Sequence, residues 1–256
     1  MKIGIVGAGN MGGAIAHGLL QLKLVEPANL YVADIRPEAL QPFAALGANT
    51  STQNANAVRE ADVAIIAVKP WTLPETLHKL RPALPPRAMV ISVAGGVALE
   101  RIRAELPETP LFRVIPNTAI AAGQSMTFIA SDGTTREQEE LALALFAGLG
   151  KVMLIPEHQM SAAAALSSCG IAYAMRYISA NMRAGVELGF DPNTAKEIML
   201  QTLQGAVSLL AQSGEHPEKE IDRVTTPKGL TIKGINQLEH DGFSSAIINA
   251  VKAGMM

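Results

Sequence analysis

The sequence predicts an α/β N-terminal half built on a mostly parallel sheet, followed by an all-α C-terminal part. Up to residue 156, short runs rich in Val and Ile alternate with helix-like segments, the pattern of strands joined by crossover helices. A glycine-rich turn follows the first of these runs and opens the first helical segment. After Pro156 the strand-like runs stop and Ala, Leu and Met dominate. The expected domains are 1–156 and 157–256, sizes that a 256-residue chain accommodates as two modest domains.

Taken in order, strands are expected at 2–6, 29–33, 63–67, 89–93 and 111–115, separated by helices at 11–22, 37–46, 70–80 and 98–105. Two more strands, at 126–130 and 152–155, flank a helix over 136–149. Beyond the boundary the expected helices are 162–166, 171–188, 193–212 and 247–255. The 171–188 segment carries apolar residues all round (Ile171, Tyr173, Met175, Ile178, Met182, Val186), with Arg176, Arg183 and Glu187 as its charges. A helix of that kind has to be buried on every side. A domain of about 100 residues seldom encloses its own helix so fully, which points to a second copy of the chain as the cover. Contact with the first domain is the alternative cover.

Composition removes several classes of function. With 48% apolar and 17% charged residues, the chain is the opposite of a disordered composition. Lys+Arg 21 against Asp+Glu 23 leaves no positive field for nucleic acid phosphates, and six Phe, three Tyr and one Trp leave little for a base-stacking platform. No stretch approaches the roughly 20 apolar residues of a membrane span, and the first residues are too short and glycine-rich for a signal peptide. The single Cys169 excludes an internal disulfide or a Cys-rich metal site. The expectation is a cytoplasmic protein with no nucleic acid or membrane partner and no metal.

Gly7-Ala8-Gly9-Asn10-Met11-Gly12 is G-x-G-x-x-G between a strand and a helix, the context that gives this motif meaning. The first glycine makes the turn, the second admits a pyrophosphate and the third lets helix and strand pack closely. The diphosphate then rests on the helix N-terminus. A Rossmann-type dinucleotide site is the reading, with Gly7, Gly9, Asn10, Met11 and Gly12 in contact with the cofactor. Asp34 closes the second strand about twenty residues on, where an acid accepts from the ribose 2′-hydroxyl of NADH. Arg36 instead suits the 2′-phosphate of NADPH, so both cofactors stay open, and a third reading has Asp34 cap the helix near Pro37. Ala67-Val68-Lys69-Pro70, Ala94-Gly95 and Asn117 end later strands and are expected to line the same crevice. Lys69 is read equally well as a phosphate contact or as a solvated lysine.

These residues, with more along the chain, resemble the pyrroline-5-carboxylate reductase family. The resemblance runs through GAGNMGGAI at the start, AVKP at 67–70, SVAGG at 92–96, RVIPNTA at 113–119, LSSCGIAY at 166–173, GEHPEKEIDRVTTPKGLTIKGI at 214–235 and LEHDGF at 238–243. It implies reduction of the cyclic imine 1-pyrroline-5-carboxylate to L-proline, the last step of proline biosynthesis, with NADPH or NADH. It also implies a helical domain that interlocks into dimers, often gathered into rings. The substrate carboxylate is implied to rest on the loop Thr225, Thr226, Lys228, Gly229, Leu230 and Thr231, with Asn117 nearby, and the Thr231 hydroxyl to reach the ring nitrogen. Asn54 matches an asparagine near the adenine ribose.

Two departures stand out. Lys228 replaces the first glycine of a Ser-Pro-Gly-Gly-x-Thr loop, with bulky Leu230 at x, and Ser168-Cys169-Gly170-Ile171 replaces a Gly-Ser-Gly-Pro-like run. The first carries strain if φ must be positive there; the second is expected to straighten the start of the long helix. A paralogue acting on another cyclic imine, and a catalytically idle dinucleotide binder, remain as alternatives. A β-hydroxyacid dehydrogenase is disfavoured, because no lysine lies between Lys151 and Lys196.

Overall fold

The computed structural model describes residues 1–255. It divides into two compact units, Met1–Ser168 and Cys169–Met255.

The first unit is an eight-stranded sheet in the order β3-β2-β1-β4-β5-β6-β7-β8. Its strands are β1 Ile3–Val6, β2 Leu30–Ala33, β3 Asn49–Ser51, β4 Val63–Ile66, β5 Met89–Ser92, β6 Leu111–Ile115, β7 Ser125–Asp132 and β8 Gly150–Leu154. The helices between them are α1 Asn10–Gln21, α2 Gln41–Ala45, α3 Asn54–Val58, α4 Leu73–Leu80, α5 Leu99–Glu105 and α6 Arg136–Ala147, and α7 Met160–Ala164 follows β8. Strands β1 to β6 run parallel, in register such as Ile3 with both Leu30 and Val63. β7 turns antiparallel against β6, pairing Val114 with Ile129, and β8 is parallel to β7.

The period of two along the strands separates the two faces. Ile3, Ile5, Leu30, Val32, Val63 and Ile65 point to the face covered by α1 and α6. Val6, Ala64, Ile66 and Val90 point to the face covered by α3, α4, α5 and α7. The alternation explains why β1, β4, β5 and β6 read as continuous apolar runs: each is buried on both sides. Local chemistry sets the helix starts. Thr135 and Gln138 form a reciprocal capping box at α6, and Leu73 and Leu77 anchor α4 to its face.

Residues 157–168 stay with the sheet unit although the composition changes at Pro156, because Met160 and Ala164 complete the second core. A π turn over Ala165–Cys169 then leads into the next helix. The helical turn is wider there than in α7 and α8.

The second unit consists of α8 Gly170–Glu187, α9 Pro192–Ser213, α10 Pro217–Arg223, α11 Leu230–His240 and α12 Phe243–Ala253. Asp191 caps α9 by accepting from the amides of Asn193 and Thr194. His216 caps α10, its Nδ1 accepting from the Glu218 amide, which gives this histidine a structural role. Helices α8 and α9 form a hairpin in which a Cβ on Gly185 would lie 2.9 Å from that of Ala195. Tyr173 Oη donates to the carbonyl of Ala250 at 3.0 Å, and Tyr177 meets Phe243 with ring centroids 6.3 Å apart. Ala195 is the one buried side chain among this unit's described residues. α8, which the sequence requires to be covered all round, has no residue buried within one chain.

Candidate active site

In this sheet the strand order reverses between the parallel strands β1 and β4, so the crevice at their carboxyl ends is the place for a ligand. The glycine turn sits there. Gly7 has φ +97°, and a side chain on it would strike the carbonyl of Ala67 at 2.7 Å. A Cβ on Gly12 would lie 1.9 Å from the carbonyl oxygen of Gly7, so α1 can approach β1 only without one. Above Gly9, by contrast, nothing lies within 4 Å of a built Cβ. That is the open room a pyrophosphate needs. Gly9 is also the N-cap of α1 and no side chain occupies the capping position, so the first-turn amides around Met11 and Gly12 have no side-chain acceptor. Asn10, the first residue of α1, is exposed beside them.

Asp34 is 7% exposed. Its Oδ2 accepts from the Ala8 amide at 2.8 Å and its Oδ1 from the Arg36 amide at 2.9 Å and from Arg36 Nε at 3.2 Å. Burial works to raise its pKa; the two amides and the guanidinium outweigh it and hold the carboxyl below the usual aspartate range. Asp34 thus ties the end of β2 to the glycine turn, and the 3-10 turn Pro37–Ala39 has no side-chain cap, so the capping reading does not hold. Arg36 is the exposed cation at that end. Asn54 begins α3, just beyond β3 and beside β2.

Ala67 bonds its amide to the Val6 carbonyl, Val68 and Pro70 are half-buried, and Lys69 is exposed. Ala94 is buried, its amide donating to Ser92 Oγ at 3.3 Å, and Gly95 is exposed with open space above it. Asn117 is buried and caps the turn Thr118–Ala122, accepting from the Ala119 amide, while its own amide donates to Ser125 Oγ. Its carbonyl oxygen is therefore occupied by the backbone.

Arg113 escaped the sequence reading. It is buried on β6 and its Nη1 donates to Glu157 Oε1 at 3.1 Å, and the same oxygen accepts from the Leu99 amide at the start of α5 at 2.6 Å. The pair fastens the chain beyond β8 to the sheet. A charged residue in the middle of an apolar strand was the available signal.

The second group of site residues lies in the helical unit, in the connection between α10 and α11. Thr225 donates its hydroxyl to the Ile221 carbonyl at 2.7 Å and so finishes α10. Thr226-Pro227-Lys228-Gly229 is a turn closed by the Gly229 amide on the Thr226 carbonyl at 2.9 Å. Proline in second place and a left-handed residue in third, Lys228 at φ +62°, is the arrangement of a type II turn, which favours glycine third. Gly229 is fixed by space, since a Cβ would come 2.6 Å from Thr226 Oγ1. It is the N-cap of α11 with no side-chain bond, so the amides at the start of the helix, including that of exposed Thr231, lack a side-chain acceptor. Leu230 is exposed.

A parallel sheet with a glycine turn open above its second glycine defines the first unit as a dinucleotide-binding Rossmann domain. Known proteins place it further. The family described as pyrroline-5-carboxylate reductase dimerisation matches residues 157–256, and one described as NADP oxidoreductase, coenzyme F420-dependent, matches 2–96. Pyrroline-5-carboxylate reductase 1 of Dictyostelium discoideum is 37% identical over 97% of this chain, which spans 48% of that protein's length. The pyrroline-5-carboxylate reductase of Methanosarcina acetivorans is 38% identical over 98% of this chain and 94% of its own. The NADP-bound pyrroline carboxylate reductase of Plasmodium falciparum superposes with a TM-score of 0.91 at 27% identity, covering 99% of this chain and 95% of that one. The chain belongs to the pyrroline-5-carboxylate reductase family.

The left-handed conformation of Lys228 carries a cost that glycine would not. Lys228→Gly is expected to stabilise the protein by about 1 kcal/mol, net of the extra chain entropy glycine brings. Urea unfolding measures this, and an unchanged or lowered midpoint would contradict strain at this turn.

Proposed function

We propose that the protein reduces 1-pyrroline-5-carboxylate to L-proline with NADPH or NADH. The observation that carries this is the combination, in one chain of the family, of a glycine turn open above Gly9 and an uncapped α11 start bearing Thr231. When bound, the reduced nicotinamide supplies the hydride that adds to the C=N carbon. The protein's own part is to bind and orient, because a protonated cyclic imine needs no strong acid. The amides of Leu230 and Thr231, which no side chain caps, hold the substrate carboxylate without a charged side chain, as backbone nests do. The Thr231 hydroxyl, exposed on the first turn of α11, holds the ring nitrogen, and the exposed Lys228 ammonium adds charge to the anion's surroundings. Thr225 and Thr226 shape the turn.

For the cofactor, the Asp34 carboxylate is bonded to Ala8 and Arg36, which leaves the Arg36 guanidinium as the group facing solvent. This favours the 2′-phosphate of NADPH. Val68, Lys69, Pro70 and Asn54 border the adenosine half, and Ala94 and Gly95 admit the flat nicotinamide. The acting species in this reading is a homodimer or a larger homo-oligomer, with residues from 157 onward as its dimerisation region. Its setting is the cytoplasm, a reducing compartment in which a lone Cys169 needs no disulfide partner. Among the described residues no helix is long and apolar enough to cross a membrane and no group of His, Cys, Asp and Glu is arranged to hold a metal.

The testing experiment follows absorbance of NADPH and of NADH with pyrroline-5-carboxylate beside its six-membered homologue. Faster turnover of the five-membered ring with NADPH is expected; no turnover with any pairing would end the reductase reading, and preference for the six-membered ring would favour the paralogue. Thr231→Ala is expected to lower kcat on the order of 10- to 100-fold, the loss of one hydrogen bond to a charged group. Its dinucleotide affinity should stay at the parent value. Parent-like kcat in this variant would remove Thr231 from the reaction.

A further inference from the structure

Two side chains of the sheet unit run against its pattern of burial. Ile35 is 79% exposed and Trp71 is 76% exposed, the highest values for large apolar side chains among that unit's described residues. Both follow the carboxyl ends of strands that border the same crevice. Ile35 comes just after the end of β2 and Trp71 just after the end of β4, and these are the two strands that flank β1 and its glycine turn. Scattered apolar side chains on a surface need no explanation, but the two extremes falling on either side of one ligand-binding turn do.

Trp71 is also held in place. It sits in the 3-10 turn Pro70–Thr72, where proline fixes the first residue. The amide and the hydroxyl of Thr72 both donate to the Lys69 carbonyl, at 3.0 and 2.9 Å, and the next residue, Leu73, is fully buried in the sheet unit's core. The indole is thus displayed to solvent from a fixed support instead of being folded under it.

We infer that Trp71 stacks on the adenine of the bound dinucleotide, with Ile35 as an apolar contact on the β2 side of the adenosine. The inference rests on the reading of the glycine turn as the pyrophosphate site. It is adenine and not nicotinamide because Ile35 lies between Asp34 and Arg36, the ribose end, whereas the small residues Ala94 and Gly95 follow the end of β5, on the other side of β4. An indole and a purine present flat π faces of similar size, and such stacking is worth a substantial part of a nucleotide's affinity.

Trp71 is the chain's one tryptophan, so its emission reports on this position alone. The full-length protein is titrated with NADPH, with 2′,5′-ADP and with nicotinamide mononucleotide, with binding followed in parallel by calorimetry. NADPH and 2′,5′-ADP are expected to quench the emission and nicotinamide mononucleotide to leave it unchanged. Trp71→Ala should weaken NADPH binding roughly 5- to 150-fold, and Trp71→Phe, which keeps an aromatic face, should recover most of it. Circular dichroism checks that both variants are folded. Quenching by nicotinamide mononucleotide alone, or parent affinity in folded Trp71→Ala, overturns the stack. A blue-shifted emission in the free protein that no nucleotide alters also overturns it, since the indole would then lie in a protein contact. Failure of the parent protein to bind NADPH by calorimetry overturns the dinucleotide reading itself, which separates the two outcomes.

Discussion

A Cβ on Gly12 would sit 1.9 Å from the carbonyl oxygen of Gly7, so the first turn of α1 and the end of β1 touch backbone to backbone. The position of α1 on its face of the sheet follows from that contact, and with it the packing of Ile15 and Leu19 into the core shared with β1, β2 and β4. Gly7 must turn with positive φ to begin it, and Asp34 reaches from the end of β2 to hold the amide of Ala8. The same contact places the uncapped first turn of α1 at the crevice between β1 and β4, where the proposed function puts the pyrophosphate. The fold excludes a side chain at Gly7 and Gly12, whereas at Gly9 a Cβ meets nothing within 4 Å.

The helical unit obeys a different constraint. Asp191 and His216 cap α9 and α10, yet Val186, Ile198, Val207, Leu209 and Ile248 remain exposed within one chain. Apolar surface of that extent on a unit with one buried side chain is what an interface to another copy requires. Family membership in the dimerisation region agrees with it. The turn between α10 and α11, proposed above to hold the substrate, is part of this unit.

Much of the sheet was legible because its strands are short, β-branched and buried on both faces, and the motif at residues 7–12 had a strand before it and a helix after it. The edge strand β3 was not: Asn49, Thr50 and Ser51 are polar and carry no alternation of their own, and only pairing with β2 makes them a strand. Helices α10 and α11 were not among the helices expected from periodicity, since Pro217, Pro227 and several charges interrupt the pattern. Asp34 was placed correctly near the turn, but its bonds to Ala8 and Arg36 depend on the distance between β1 and β2, which no linear spacing encodes. The strain expected at Lys228 was a conditional reading, and its condition, positive φ, is met.

In the function proposed above, the open space over Gly9 is where the cofactor's pyrophosphate rests. Gly9 has an extended backbone that any residue can adopt, with φ −74° and ψ −164°, and a methyl group there meets no protein atom within 4 Å. The decisive measurement is therefore NADPH affinity and thermal stability of Gly9→Ala beside the parent protein. The expected result is a melting temperature close to the parent's with NADPH binding weakened at least tenfold. Parent affinity in the folded variant would contradict the assignment.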